Sequence, residues 1–207
     1  MSGGHPILVL LAHPAIRRSR VNRRLADAVR DLDGITVHDL YEAYPDFDID
    51  VRRERRLVEA HDVIVFQHPF YWYSTPAMLK EWQDLVLEHG WAYGREGRAL
   101  RGKVLLTATT TGGGEPSYTS AGGARIGVRE LLAPIEQTAR LCGMAYPPPF
   151  VVHGTHLLEP AEIQRQARDY RRLLEAFRDG TVDLEAAAGR PRINRDLDAV
   201  IGAPRAR

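Results

Sequence analysis

The sequence contains only one cysteine, Cys142, among its 207 residues. A single cysteine excludes an intrachain disulfide and any metal cluster held by several thiolates. Long apolar runs are also missing, since none approaches the roughly 18 residues that a membrane-spanning helix needs. The first apolar run, residues 7–12, is too short for a typical signal sequence. We therefore expect a cytoplasmic protein.

An excess of charge of one sign is lacking as well. Lys and Arg total 28 against 27 for Asp and Glu, which gives a net charge of +1. The sequence therefore offers no general basic field for nucleic acid or an anionic membrane surface. Five arginines do cluster within residues 17–24. Such a cluster is typical of a solvent-exposed helix surface, although it could bind a phosphate or an adenine nucleotide.

Two nucleotide-binding motifs are absent. Residues 97–104 nearly match a triphosphate-binding loop, but Val104 stands where Ser or Thr must reach a magnesium ion. No G-x-G-x-x-G follows the first predicted strand, which argues against a dinucleotide Rossmann site. His153 and His156 lack an acidic or cysteine partner at a ligand spacing, so we predict no metal site.

The sequence does show a regular alternation of apolar, strand-length runs with amphipathic helical segments. The predicted strands are residues 7–11, 35–40, 63–67, 104–109 and 146–152. A helix predicted over residues 125–142 contains Pro134, which should kink it or split it in two. The alternation predicts an α/β fold with helices on both faces of a parallel sheet. We expect the flavodoxin-like strand order, 2-1-3-4-5.

We assign residues 1–178 to this flavodoxin-like domain. Residues 179–207 differ in composition, with Ala, Gly, Pro and paired charges and only scattered Val, Leu and Ile. Too few apolar residues are present there to predict a helix or strand. We expect a tail that is extended or disordered, or that clasps another surface.

Three long or unusual loops follow the first, third and fourth predicted strands. They cover residues 13–19, 69–76 and 110–123. These three strands are neighbours in the expected order, and open parallel sheets bind ligands beyond the carboxyl ends of their strands. The three loops together predict one ligand site.

The second of these loops carries four consecutive aromatic residues between two prolines. Neighbouring side chains point in different directions, so four in a row cannot all face one core. Such a loop could form the wall of a site for a flat ligand. It could equally be buried against the rest of the chain or against a partner subunit.

The first loop leads into a predicted helix, whose free backbone N–H groups favour a phosphate. Ser19 and Asn22 could add hydrogen bonds, although Ser19 is also typical of an ordinary N-cap. His13 could donate to the same phosphate or be a packed residue. The third loop is rich in glycine, which lets the backbone approach a ligand closely, but it could also be a flexible surface loop.

The loop sequences together resemble those of the flavodoxin-like NAD(P)H:quinone oxidoreductases, a family that includes ancillary subunits of glutathione-gated potassium-efflux systems. The resemblance covers about residues 7–178. Its matching segments are Ala12-His13-Pro14, Ser19 with Asn22, Leu40-Tyr41, Tyr44-Pro45-Asp46-Phe47, Gln67-His68-Pro69, Trp72-Tyr73-Ser74, His89-Gly90-Trp91-Ala92-Tyr93-Gly94 and Thr110-Thr111-Gly112-Gly113-Gly114-Glu115.

The resemblance implies a flavin-dependent, NAD(P)H-consuming quinone reductase. We expect a ping-pong mechanism, because the aromatic loop suits both a nicotinamide and a quinone and the sequence offers no second dinucleotide site. FMN is favoured over FAD because only one phosphate-type site is evident. A homodimer with active sites at the subunit interface is implied, with a quinone or another small electrophile as acceptor. The alternative is a regulatory subunit, docked on a potassium-efflux transporter at the inner face of the membrane, with the flavin as a sensor. An electron-carrier flavodoxin is disfavoured, because such carriers are strongly acidic.

Carried over by position, the resemblance also assigns site residues. The flavin phosphate is assigned to His13, Ser19, Arg20, Val21 and Asn22. The walls around the ribityl chain and ring are assigned to Pro69, Phe70, Tyr71, Trp72 and Tyr73. The polar edge of the ring is assigned to Thr110, Thr111, Gly112 and Gly113.

Many members of the family place a Tyr and a His after the glycine loop, where they stabilise the reduced flavin. Tyr118 is the candidate for the first role and is our predicted catalytic residue. No histidine lies between Gly114 and Arg140. The second role therefore has no candidate in that segment.

Overall fold

The computed structural model describes residues 4–202 of the chain. Five parallel strands form one sheet in the order β2-β1-β3-β4-β5, which confirms the predicted flavodoxin-like sheet. The strands are β1 (Ile7–Leu11), β2 (Ile35–Asp39), β3 (Val63–Pro69), β4 (Val104–Thr110) and β5 (Phe150–Val152).

Helices cover both faces of this sheet. They are α1 (Asn22–Val29), α2 (Leu40–Ala43), α3 (Val51–Glu59), α4 (Ala77–Val86), α5 (Val128–Leu131), α6 (Ala133–Leu141), α7 (Pro160–Arg178) and α8 (Leu184–Ala187). One core lies beneath α1 and α7, and the other lies beneath α3, α4 and α6. Within the described residues, every helix is too short or too polar to span a lipid bilayer.

Strand β1 shows why the sequence folds in this way. All five of its residues are fully buried. Ile7 and Val9 pack into one core, while Leu8 and Leu10 pack into the other. A strand that is buried on both faces needs a continuous apolar run, which is the pattern observed in the sequence.

Proline residues change the bounds of two predicted elements. The helix expected over residues 125–142 is split into α5 and α6, with Pro134 in the first turn of α6. Proline is tolerated there because the N–H it lacks would have no helical acceptor. Strand β5 is shorter than predicted, since residues 147–149 are prolines and cannot donate to a ladder.

The prediction of an extended or disordered tail is wrong for residues 179–202. This segment contains α8 and a 3-10 turn at Ile193–Arg195. Ala187, Ile193 and Val200 are buried in the core beneath α1 and α7. Residues 203–207 of the predicted tail lie outside the described residues.

A buried carboxylate ties α3 to its neighbours. Glu54 is fully buried and accepts hydrogen bonds from His38 Nε2 at 2.9 Å, Tyr44 Oη at 2.5 Å and Trp82 Nε1 at 2.8 Å. Burial raises the pKa of Glu54, but the three hydrogen bonds outweigh it and hold the pKa below its usual range. The carboxylate therefore remains ionised and joins β2, α3 and α4.

Candidate functional site

A cavity of about 310 Å³ opens at the carboxyl ends of β1, β3 and β4. This is the edge of the sheet where the three loops were expected to meet. Residues from all three loops, and from the loop after β5, line the cavity. They are His13, Ala15, Arg18, Ser19, Arg20, Val21, Asn22, Pro69, Phe70, Tyr71, Thr110, Gly112, Thr155 and His156.

The first loop presents hydrogen-bond donors to the cavity. The side-chain Oγ of Ser19 accepts from the Asn22 N–H at 3.0 Å, which is an ordinary capping contact. The Ala15 N–H donates to His13 Nδ1 at 3.1 Å, so the ring proton of His13 lies on Nε2. Burial lowers the pKa of His13, which keeps the ring neutral. His13 Nε2 is therefore a neutral donor.

Asn22 connects the first and third loops beneath the cavity. Its Nδ2 donates to Thr110 Oγ1 at 2.8 Å, and its backbone oxygen accepts from Gln67 Nε2 at 2.8 Å. Gln67 in turn accepts from the Tyr170 hydroxyl of α7. The buried Oδ1 of Asn22 has no hydrogen-bond partner among residues 4–202. A buried polar atom in this position is suited to a ligand that carries a hydroxyl group.

The side chain of Arg20 has a different role from the one its sequence suggested. Its guanidinium donates to the backbone oxygens of His156 at 3.3 Å and Leu158 at 2.7 Å. These bonds hold the loop after β5 against the start of α1. The predicted contact between Arg20 and a phosphate therefore depends on its backbone N–H.

The four aromatic residues of the second loop point in different directions. Phe70 is buried and Tyr71 is partly exposed, and both line the cavity. Trp72 is 93% exposed, and Tyr73 is 53% exposed. Trp72 and Tyr73 have positive φ angles of 49° and 64°, which is costly for bulky residues by about 1–3 kcal/mol each. Two exposed aromatic residues with a strained backbone, both outside the cavity, indicate a functional surface more than a packed core.

Tyr118, the predicted catalytic residue, does not line the cavity but lies beside it, against the aromatic loop and His153. It ends the 3-10 turn Glu115–Tyr118. Its ring meets Phe70 edge-on, with centroids 6.1 Å apart, and lies tilted against His153 at 5.6 Å. Burial raises the pKa of Tyr118, so its hydroxyl keeps its proton at neutral pH and can donate.

His153 is the functional candidate that the sequence analysis missed. Its sequence neighbourhood suggests only a metal ligand, paired with His156, but His153 lies directly after β5 and therefore at the ligand-binding edge of the sheet. Thr111 Oγ1 donates to the Gly113 carbonyl at 2.8 Å, so His153 Nδ1 donates to Thr111 Oγ1 at 3.0 Å. Burial lowers the pKa of His153 to about 4, which leaves a neutral ring beside Tyr118.

The glycine loop approaches its neighbours closely. A Cβ atom at Gly112 would lie 2.9 Å from His156 Nε2, which is too close for an ordinary contact. Thr111 is fully buried, and neither it nor Gly113 lines the cavity directly. Thr110 and Gly112 are thus the two predicted residues of this loop that line the cavity.

An open parallel sheet in this order, with a ligand-sized cavity where the order reverses between β1 and β3, defines a flavodoxin-like protein. The model of the family Flavodoxin_2, described as a flavodoxin-like fold, matches residues 5–174. The chain belongs to this family.

Three similar proteins extend this result. The glutathione-regulated potassium-efflux system ancillary protein KefF of Enterobacter sp. (strain 638) is 47% identical over 168 residues, 81% of this chain and 94% of that protein. General stress protein 14 of Treponema denticola, solved in complex with FMN, has a TM-score of 0.80 and 44% identity, with 83% of this chain and 98% of that chain covered. An NADPH-quinone reductase from P. pentosaceus has a TM-score of 0.74 and 32% identity, with coverage of 81% and 96%. The predicted resemblance is confirmed.

Proposed function

We propose that this protein is an FMN-dependent oxidoreductase that takes a hydride from NAD(P)H and passes two electrons to a quinone or another small electrophile. The observation that carries this proposal is the cavity in which a helix N-terminus meets the glycine loop. The FMN complex of general stress protein 14 supports the choice of cofactor. The P. pentosaceus reductase supports the choice of reaction class.

The residues of the cavity suit FMN. The backbone N–H groups of Arg20 and Val21 precede α1 and have no acceptor within residues 4–202, so they are available to a phosphate. His13 Nε2 adds a neutral donor, and Asn22 Oδ1 can accept from a ribityl hydroxyl. One phosphate-type site favours FMN over FAD. When bound, FMN supplies the two-electron chemistry, and the protein supplies orientation and charge stabilisation.

The glycine loop and Tyr118 would act on the polar edge of the ring. Negative charge develops there when the ring accepts a hydride, and donors aimed at that edge lower the barrier. The candidate donors are the backbone N–H of Gly112, which lines the cavity, and, beside the cavity, the backbone N–H of Gly113 and the hydroxyl of Tyr118. His153 would hold the Tyr118 ring in place, since its own orientation is fixed by Thr111.

The nicotinamide and the quinone would use one face of the ring in turn. Phe70 and Gly112 line the cavity and would cover one side and the edge of the ring, so the opposite face must stay open for a donor to stack. Hydride transfer requires the reacting atoms to lie about 3–3.5 Å apart. Because the sequence offers no second dinucleotide site, both substrates compete for the same place, which gives a ping-pong scheme.

The proposal predicts that the purified protein binds FMN and oxidises NADPH or NADH in the presence of a quinone. The absorption spectrum and the mass of the released cofactor identify the flavin. Initial rates against both substrates should give parallel reciprocal lines. A folded sample that stays colourless with both FMN and FAD contradicts the proposal. Intersecting lines would reject only the shared-site mechanism.

Trp72→Ala is expected to weaken FMN binding about tenfold to hundredfold. Trp72 does not line the cavity, but its exposed ring follows Tyr71, which does, and it would cover the part of the isoalloxazine ring that extends beyond the cavity. Such a contact is worth about 1–3 kcal/mol. The fold should be unaffected, since the side chain is almost fully exposed. Flavin fluorescence titration measures the dissociation constant. Leu141→Ala removes an exposed apolar side chain from the end of α6 and is the matched control. Equal affinity in both variants would show that Trp72 does not contact FMN.

A second candidate function is regulation of a potassium-efflux transporter, with the flavin as a sensor. The similarity to KefF favours it. The protein would then be cytoplasmic and peripheral at the inner face of the membrane, through its partner. Quinone turnover by the isolated protein separates the two functions, since a pure sensor would bind FMN without turnover.

The implied homodimer is part of the same proposal. Trp72, Tyr73 and Leu157 expose apolar surface near the candidate site, and a second copy of the chain could cover it. Such an arrangement would place each active site at the subunit interface. Light scattering over a range of concentrations measures the oligomeric state.

A further inference from the structure

The carboxy-terminal segment, residues 181–202, lies outside the family match, which ends at residue 174. It nevertheless runs along the free edge of β5. The Ile193 N–H donates to the Pro149 carbonyl at 2.9 Å. The Asn194 side chain accepts from the Val151 N–H and donates to the Val151 carbonyl, each at 3.0 Å. The side-chain amide of Asn194 thus forms hydrogen bonds with the backbone N–H and carbonyl of the edge strand, as a neighbouring strand would.

The segment is held firmly where it meets the sheet. Ala187 and Ile193 are fully buried in the core beneath α1 and α7. Arg129 of α5 donates to the Arg190 carbonyl at 2.6 Å. Residues 190–194 are therefore fixed between the helical layer and β5. Strand β5 ends at Val152, one residue before His153.

From this fixed position, Arg192 reaches the glycine loop. Its Nη2 lies 2.8 Å from Glu115 Oε2, and its Nε lies 3.3 Å from Glu115 Oε1, so the pair is bidentate. The Arg192 side chain is only 19% exposed, and its Nη1 also donates to the Asn194 carbonyl. The hydrogen bond from Arg192 lowers the pKa of Glu115, so the carboxylate stays charged. Two parallel bonds fix orientation as well as distance.

Glu115 begins the short turn that ends at Tyr118. Before this turn, the loop is tied to the end of β5 by backbone bonds from Thr111 to Val152 and from Gly154 to Gly113. The Arg192–Glu115 pair adds a side-chain attachment to the turn itself. Movement of Glu115 would shift both Tyr118 and the glycines that precede the turn.

We propose that Arg192 is a positioning residue of the FMN site, which acts through Glu115 to hold the glycine loop and the Tyr118 turn in their binding geometry. This inference rests on the proposed function. The carboxy-terminal segment would then support the site from outside, since none of its described residues lines the cavity.

The test is a double-mutant cycle in the full-length protein with Arg192→Gln, Glu115→Gln and the combined variant. Each single substitution should raise the dissociation constant for FMN about twofold to fivefold, as expected for a partly exposed ion pair. The combined variant should match the single variants, because each removes the same interaction. Arg192→Lys should restore only part of the affinity, since lysine lacks the planar fork.

The control is Asp198→Asn. It breaks another ion pair of the same segment, in which Nη2 of Arg172, a residue of α7, lies 2.6 Å from Asp198 Oδ1. We expect its FMN affinity to equal that of the wild type. Thermal unfolding of all variants separates lost positioning from lost stability.

The outcomes are distinct. If the wild type binds FMN but Arg192→Gln has the affinity of the wild type, the positioning role is rejected. Additive effects of the two substitutions, or an equal loss in Asp198→Asn, also reject it. If the wild type binds no flavin, the proposed function itself fails and the inference falls with it. Should Arg192→Gln not fold, Glu115→Gln alone decides, since Glu115 is half-exposed at the surface.

Discussion

Tyr118→Phe is expected to slow the reduction of bound FMN by NAD(P)H about 10²- to 10³-fold, while affinity for FMN changes little. The substitution removes only a hydroxyl group. Loss of one donor to a developing negative charge costs roughly 2.7–4 kcal/mol in the transition state. The ring contacts of Tyr118 with Phe70 and His153 would remain. Stopped-flow absorbance measures the reduction rate, and fluorescence titration measures the affinity.

Tyr146→Phe is the matched control for this prediction. The Tyr146 hydroxyl bonds to Thr107 Oγ1 at 2.9 Å, and Tyr146 precedes β5, at the opposite end of that strand from His153 and the candidate site. We expect its rate of flavin reduction to equal that of the wild type. An unchanged rate in Tyr118→Phe would remove Tyr118 from the catalytic residues. The neutral ring of His153 would then be the nearest remaining side chain to test.

Glu54→Ala is expected to lower the free energy of unfolding by about 3–5 kcal/mol, because a buried polar group left without its hydrogen-bond partner costs roughly 1–3 kcal/mol. Three buried groups, on His38, Tyr44 and Trp82, would lose their shared acceptor. Urea unfolding at neutral pH, followed by tryptophan fluorescence, measures the change. Asp48→Ala removes an exposed carboxylate nearby and should change stability by less than about 0.5 kcal/mol.

The same carboxylate gives stability a defined dependence on pH. The pKa of Glu54 in the folded state lies below its ordinary value of 4.5. Its contribution is therefore complete above that ordinary value and is lost as pH falls through the lower, folded-state pKa. The wild type should lose more stability than Glu54→Ala between neutral pH and about pH 3. Parallel losses in the two proteins would contradict the buried, ionised carboxylate.

Much of the candidate site was predicted from the sequence. All five residues assigned to the flavin phosphate line the cavity, as do Pro69, Phe70, Tyr71, Thr110 and Gly112. These residues end or follow strands, or lie at the start of a helix, so the strand order brings them together. Trp72 and Tyr73 do not line the cavity, and both have positive φ angles that the sequence did not predict. Whether any of these residues binds FMN stays a prediction.

The sequence by itself determined the sheet and the edge at which ligands would bind. Runs such as Ile7–Leu11 are apolar throughout because both faces of a central parallel strand are buried. Their alternation with helices fixes a parallel sheet, and the position of the unusual loops fixes the edge. These are local patterns, and local patterns can be recognised without knowing which distant residues meet.

Only the tertiary structure decided the contacts between distant segments. His153 lies beside Tyr118, and Arg192 reaches Glu115 across 77 positions of sequence. The sequence predicts a tail that is extended or disordered, or that clasps another surface, because its apolar residues are few and scattered. Ala187 and Ile193 are nevertheless buried, since the chain turns between them and brings both to one core. Burial without periodicity leaves no local pattern, so it becomes visible only when the sheet and its edge strand are in place.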